Sequence, residues 1–209
     1  MNSLLVDFLY QQHWDQHRET IRERLRQFRE VPQEEYLFEL LYCLLTPQSK
    51  AANAEQVIAR LRSEGFPEQT VDPVPLLRDP AHYIRFHNQK GRRILLVWEK
   101  WDEVFEVIAS KRPSFDKREW LVENVNGLGW KEASHFLRNI GHLDVAIIDR
   151  HILKHLLRSG AIDQIPKTIS KKTYIELEQK FVKLASSQGL ELQELDLLFW
   201  SLEEGSVRK

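Results

Sequence analysis

At 209 residues, with 42% hydrophobic and 29% charged side chains, the chain can bury a substantial core and has neither a disordered tail's polarity nor an apolar run long enough to cross a bilayer. Its formal net charge of −1 excludes a globally basic field, so any attraction for nucleic acid must come from a local patch. The single cysteine, Cys43, rules out an internal disulfide and a cysteine-ligated zinc or iron–sulfur site. The N-terminal stretch has no basic leader and no small-residue cleavage site, so a cytoplasmic, nucleoid-associated location is expected.

In chain order, residues 3–28 read as a helix whose charged half alternates in sign, as a solvated face does. Pro32 closes it. Residues 33–45 form a second helix, too apolar to be anything but buried, and Pro47, Gln48 and Ser49 lead into a third carrying Ala52, Val57, Ile58 and Leu61. Residues 65–80 contain four prolines without a clear period and read as a surface connection. A polar turn then leads to one helix bearing Ile94, Leu95, Trp98, Trp101, Val104, Phe105 and Ile108. Residues 115–125 make the first arm of a hairpin, 148–159 a helix after it, and 171–187 and 191–202 the last two helices, beyond a break at Ile165-Pro166. No stretch alternates with period two for long enough to argue a sheet, and the fold class is all-α.

The chemistry concentrates in VNGLGWKEASHFLRNIGHLDVAIID, residues 125–149. Gly127 and Gly129 flank Leu128, letting the backbone turn tightly and approach a ligand. The helix that follows, with Ala133, Phe136, Leu137 and Ile140 on one face and Gly141 at its end, offers unpaired amides to a phosphate. Such contacts position nucleic acid without reading its sequence. Lys131 at that helix start reads either as a solvated lysine or as an amine whose neutral, nucleophilic form is favoured by the positive helix end and by Trp130 limiting water. Asp149 reads as an N-cap, and a capping carboxylate can still face a cleft and stabilise positive charge developing on a sugar.

Gly127-Leu128-Gly129-Trp130-Lys131, with Asp149 eighteen positions after the lysine, resembles the signature of the helix-hairpin-helix DNA glycosylase superfamily. LLTPQSKAANA, YIRFHNQKGRRI, GLGWKEASHFLRNIG and the ending WSLEEGSVRK are similar to one branch, the archaeal-type (type 2) 8-oxoguanine DNA glycosylase/lyases, and are spread from about Tyr36 to Lys209. The four-cysteine cluster of the endonuclease III-like branch is missing, which agrees with this choice.

That resemblance implies a single domain over residues 1–209 with two helical lobes flanking a DNA-binding cleft, one of residues 1–32 and 162–209, the other of residues 33–161. It implies a bifunctional enzyme that removes 8-oxoguanine from double-stranded DNA and cleaves at the abasic site. Lys131 would attack the deoxyribose C1′ and form the Schiff base, and Asp149 would stabilise the sugar cation and assist deprotonation. No cofactor or metal is implied, nor a membrane partner, and a monomer is expected. The base leaves the stack for a pocket. Trp200 reads either as its stacking face or as a core tryptophan. In this branch the chain ends at a lysine near the pocket, so the Lys209 side chain or carboxylate would read the N7–H that 8-oxoguanine carries and guanine lacks.

Gln48 and the segment from His87 through Asn88 and Gln89 to Lys90 occupy places where the superfamily lines the cleft or fills the gap left by the flipped base; they read equally as helix-start polar residues. Lys90, Arg92, Arg93, Arg138, Arg150, Lys154 and Arg158 would supply the local basic surface. The pairs His13/His17 and His151/His155 have metal-ligand spacing but lack a third ligand. Two alternatives stay open: a glycosylase for another damaged base, and a noncatalytic helix-hairpin-helix module.

Overall fold

The computed structural model describes residues 3–205 and 207. Among them it has helices and no strand. The helices are α1 (Ser3–Arg29), α2 (Tyr36–Leu45), α3 (Ala51–Ser63), α4 (Pro73–Arg78), α5 (His87–Glu99), α6 (Trp101–Ala109), α7 (Ser114–Asn124), α8 (Trp130–Asn139), α9 (Arg150–Arg158), α10 (Lys171–Ser187) and α11 (Leu192–Glu204). No helix among the described residues is long and apolar enough to cross a membrane.

The chain divides into two compact units, Pro32–Phe136 and Met1–Val31 with Leu137–Lys209. The second boundary falls inside α8, so residues 137–161 group with the chain ends, whereas the sequence reading assigned them to the hairpin lobe. The reason is local: Gly141 (φ 93) brings its backbone so close to α1 that a Cβ would lie 3.1 Å from Arg29 Cα, and α9 packs on α11. Hairpin proximity in sequence is overridden by burial of the α9 face.

In the terminal unit α11 is the central element, packed against α1, α9 and α10. Ile21, Leu25 and Phe28 of α1, Ile152 and Leu156 of α9, Phe181 of α10 and Leu198 and Phe199 of α11 are buried there. In the other unit, α2 is buried almost throughout and packs on α3 and α5. Helices α4 to α7 follow as a chain of neighbouring pairs, with Ile94, Val97, Val104, Ile108 and Leu121 inward. Apart from α2, the helices bury an apolar stripe against their neighbours, as amphipathic period demands.

Three expectations are corrected. The proline-rich stretch is not only a connection: Asp72 accepts the N–H of Val74 at 3.0 Å as N-cap, Pro73 sits in the first turn where its missing N–H costs nothing, and Pro73, Leu76 and Leu77 of α4 are buried. The apolar run ending at Ile108 is two helices, broken at Lys100 (φ −109, ψ 13). The buried face continues through the break, so its period conceals it. The helix expected from Ile148 begins at Arg150, because Ile148 lies in a buried, irregular segment and Asp149 caps from outside.

One buried polar cluster in the terminal unit makes stability depend on acidity. His155 is buried, stacked on Phe199 at 4.1 Å, and joined through Nδ1 to the Tyr10 hydroxyl at 3.0 Å. Burial pushes its imidazole down to about 4, despite the nearby Glu203 carboxylate. The unfolded chain takes up a proton near pH 6.5 and the folded one only near 4, so stability is full above about pH 7 and falls as the pH drops through that window, by on the order of 3 kcal/mol from this group. Urea unfolding between pH 7 and pH 4 is expected to show this loss in the parent protein and a flatter dependence in His155→Phe, which keeps the stack but has no proton to gain.

Candidate functional site

The hairpin joins α7 to α8 within the unit of residues 32–136. Leu128 is buried and its N–H reaches Val125 O at 3.2 Å, which closes the turn. Gly127 has φ 99, and a Cβ there would come within 2.7 Å of the Arg93 side chain from α5. The left-handed backbone therefore demands glycine, and any side chain there would also have to displace the end of Arg93. At Gly129 a Cβ would meet Glu132 Oε2 at 3.0 Å, because this carboxylate folds back over the start of α8. Gly129 O accepts the N–H of Ala133 at 2.9 Å, the first bond of the helix. The turn thus delivers the chain to the positive end of α8, where the helix dipole favours an anion.

Lys131 lies one residue into α8, with its side chain 32% exposed and Nζ 3.7 Å from Glu132 Oε1. Beneath it Trp130 packs against Phe115, ring centroids 5.7 Å apart, and over the Arg118 guanidinium at 4.8 Å. Arg118 is completely buried and donates to Ser134 Oγ at 3.0 Å, and Ser134 in turn donates to Trp130 O at 2.8 Å. The first turn of α8 is thus fixed from inside by an arginine. Glu132 and Arg118 were missed in the sequence reading; Glu132 stood beside the lysine, whereas nothing in the local pattern distinguishes Arg118 from a surface arginine of α7.

Asp149 belongs to the other unit. Its Oδ1 accepts the N–H groups of His151 (2.8 Å) and Ile152 (2.9 Å), making it the N-cap of α9. Both bonds fall on one oxygen, which leaves Oδ2 outside the cap. The segment that delivers it, Val145–Ile148, is buried yet has no regular structure, so its backbone groups must find side-chain partners. Gln193 Nε2 donates to Val145 O at 2.6 Å, and Glu178 accepts Ala146 N–H at 2.6 Å. Tyr174 does both: its hydroxyl donates to Ala146 O at 2.8 Å and accepts Ile148 N–H at 3.0 Å.

The remaining expected residues are distributed unevenly. Gln48 is exposed and left-handed (φ 56), at the tip of the turn after α2. Asn88 and Arg92 are exposed on α5. Lys90 is corrected: it is 2% exposed, and its ammonium points inward to Leu45 O and Pro47 O, both at 2.7 Å, so it supplies no basic surface. Arg138 is corrected likewise, being buried 3.7 Å from Asp196 and under the ring of Phe28. Their positive charges are spent inside because convergent carbonyl, carboxylate and aromatic partners are there. Arg150, Lys154 and Arg158 are exposed along α9, with Lys154 and Arg158 each 3.7 Å from Glu203. Trp200 is half-buried, its ring 6.0 Å from that of His151. Lys209 lies outside the described residues.

The two histidine pairs have other partners. His13 is bonded to Ser201 Oγ at 2.8 Å, and His151 reaches Glu203 at 3.1 Å. No group of three or more potential metal-binding side chains occurs among the described residues.

Comparison with known proteins places this geometry among relatives. Residues 21–190 match the 8-oxoguanine DNA glycosylase family. The chain is 36% identical over 203 residues to a Fusobacterium nucleatum protein named 8-oxoguanine DNA glycosylase/AP lyase, covering 90% of each. It is also 36% identical over 190 residues to the Methanocaldococcus jannaschii protein of that name, covering 90% of this chain and 89% of that one. The crystal structure of the M. jannaschii glycosylase/lyase in complex with a 15mer DNA containing 8-oxoguanine is similar, with a TM-score of 0.84 at 32% identity over 97% of this chain and 100% of that one. The Thermotoga maritima 8-oxoguanine DNA glycosylase has a TM-score of 0.86 at 29% identity, with 98% of each chain covered.

The Tyr174 hydroxyl offers a direct check on how Asp149 is placed. Tyr174→Phe removes two buried hydrogen bonds and no carbon, and is expected to cost about 1–3 kcal/mol. Thermal unfolding measures that loss, and amide exchange at Ile148 should rise with it.

Proposed function

This chain belongs to the 8-oxoguanine DNA glycosylase family, and we propose that it excises 8-oxoguanine from double-stranded DNA and cleaves the resulting abasic site through a Schiff base on Lys131. The observation that carries the assignment of Lys131 is its position: a partly exposed amine one residue into α8, next to a tight glycine turn at the positive end of that helix, which suits a DNA phosphate.

In this mechanism Lys131 Nζ, freed of its proton, attacks C1′ of the extruded nucleotide. The N-glycosidic bond breaks, the electron pair leaves with the base, and the new C–N bond becomes a Schiff base after ring opening. Loss of a C2′ proton then expels the 3′ phosphate. Glu132, whose carboxylate lies 3.7 Å from the amine, is placed to accept a proton from it. Asp149 Oδ2 faces the positive charge that develops on the sugar, while Oδ1 keeps the cap. The departing base itself shuttles protons, and no cofactor takes part.

The hairpin backbone at Gly127, Leu128 and Gly129, with Asn88, Arg92 and Arg150, holds the phosphates. Gln48 enters the gap left by the extruded base, and its exposed left-handed turn supports that role. Trp200 offers a stacking face for the base, and Lys209 contributes to reading it. One copy of the chain suffices, working in the cytoplasm on nucleoid DNA.

Borohydride trapping on a duplex with 8-oxoguanine opposite cytosine tests the mechanism. The parent protein is expected to give a covalent adduct and Lys131→Gln none. A missing adduct in the parent would reject the lyase mechanism, an adduct surviving Lys131→Gln would reject that nucleophile, and a preference for another lesion in the same assay would reassign its substrate. Asp149→Asn retains a good N-cap and is expected to unfold at nearly the parent temperature while excising roughly 10²- to 10⁴-fold more slowly.

A further inference from the structure

Lys90 carries a cost that its place in the fold must explain. An ammonium buried to 2% exposure loses most of its hydration, and burial together with the neighbouring Arg93 guanidinium pushes its pKa down to about 8. Its three hydrogen-bonding partners are neutral: Leu45 O and Pro47 O at 2.7 Å and Ser49 Oγ at 3.3 Å. A lysine has three N–H donors, and these acceptors use all of them.

The acceptors are the two sides of one turn. Leu45 is the last residue of α2, and Thr46 to Ser49 reverse the chain, closed by Ser49 N–H to Thr46 O at 3.0 Å. At the tip stands Gln48 with φ 56, one of two non-glycine residues with positive φ among the described residues. The other is Phe86 (φ 61), the residue before α5. Ser49 Oγ also accepts the N–H of Arg85 at 3.1 Å, and Asn53 Nδ2 donates to Tyr83 O at 3.0 Å. One hydroxyl therefore receives both the lysine and the segment that carries Phe86. Two residues in sparsely populated backbone conformations are held on a common internal post, and such strain persists only where the surroundings over-determine it.

We propose that Lys90 is a positioning residue: its ammonium draws the carbonyls of Leu45 and Pro47 inward and so presents Gln48 outward, preformed for entry into the DNA stack. A turn ordered in advance spares the ordering cost that would otherwise fall on the step in which the damaged base is extruded. This rests on the reading of Gln48 as the residue that fills the gap, and the roles of Lys90 and Gln48 are separable by experiment.

The test compares two substrates under single-turnover conditions: excision of 8-oxoguanine from a duplex, which needs extrusion, and strand cleavage at an abasic site in single-stranded DNA, which does not. Lys90→Met keeps the unbranched stem and removes the charged hydrogen-bond donor, and is expected to slow duplex excision by about tenfold or more and abasic cleavage by less than about threefold. The double variant with Gln48→Ala should be no slower than the slower single one, because both act through the same turn. Equal loss on both substrates, no loss on either, or fully additive effects would overturn the proposal. Should Lys90→Met fail to fold, as judged by circular dichroism, Ser49→Ala decides: a selective loss on the duplex supports the tie and an unselective or absent one rejects it. If Gln48→Ala alone leaves duplex excision unchanged, the reading of the turn falls and the proposal with it; if only Gln48→Ala slows excision, the tie to Lys90 alone is wrong.

Discussion

A helix ends with four amides or four carbonyls that its own ladder cannot pair, and in this protein the chemistry is arranged around how those groups are met. At the start of α8 the glycine turn leads into the positive end of the helix, where the dipole favours an anion. At the start of α9 the Asp149 carboxylate takes two, and retains an oxygen outside the cap. At the end of α2 the Leu45 carbonyl goes to a buried lysine. Gln48, the hairpin glycines, Arg150 and the pair assigned to catalysis stand at or next to these ends, whereas Asn88 and Arg92 lie on α5. A helix terminus offers oriented dipoles that do not have to reorganise when charge develops, which is the condition for electrostatic stabilisation in a reaction.

Holding such ends in place consumes charge inside the protein. Lys90, Arg118 and Arg138 are almost fully buried, each against carbonyl, hydroxyl, carboxylate or aromatic partners. Burying a cation is unfavourable unless its partners are well placed, and removing one partner leaves a desolvated charge. These residues consequently bind their surroundings to one arrangement more strictly than apolar side chains of the same size would. Of the cations expected at the surface, Arg92 on α5 and Arg150, Lys154 and Arg158 on α9 are the exposed ones, and in a chain of nearly neutral net charge any attraction to phosphate must be local.

The irregular segment before Asp149 follows the same logic. Four buried apolar residues run without a helix or sheet, which would strand their amides and carbonyls in an apolar medium. Tyr174, Glu178 and Gln193, all from the last two helices, supply the missing partners. The Asp149 carboxylate is therefore set by contacts with residues 25 to 44 positions away in the chain, although its local role as a cap needs only the next three residues.

Local chemistry by itself determined much of this protein. Glycines at 127 and 129, the lysine after them, Asp149 at the head of its helix, the all-helical class and the resemblance carried by 125–149 are legible because each depends on neighbours in sequence: backbone freedom, capping and the period of an apolar stripe. The cap at Asp72 was equally local and was obscured only by the surrounding prolines. The break at Lys100 was hidden because the buried face passes through it unchanged. Only tertiary structure decided which charged residues are surface and which are internal, since an arginine on α7 or a lysine on α5 looks the same in one dimension whether it meets water or a carbonyl. It also decided that residues 137–161 group with the chain ends, and that Lys90 lies beneath the Gln48 turn. The physical reason is that burial of charge and pairing of irregular backbone are settled by groups distant in sequence, whose convergence no local period encodes.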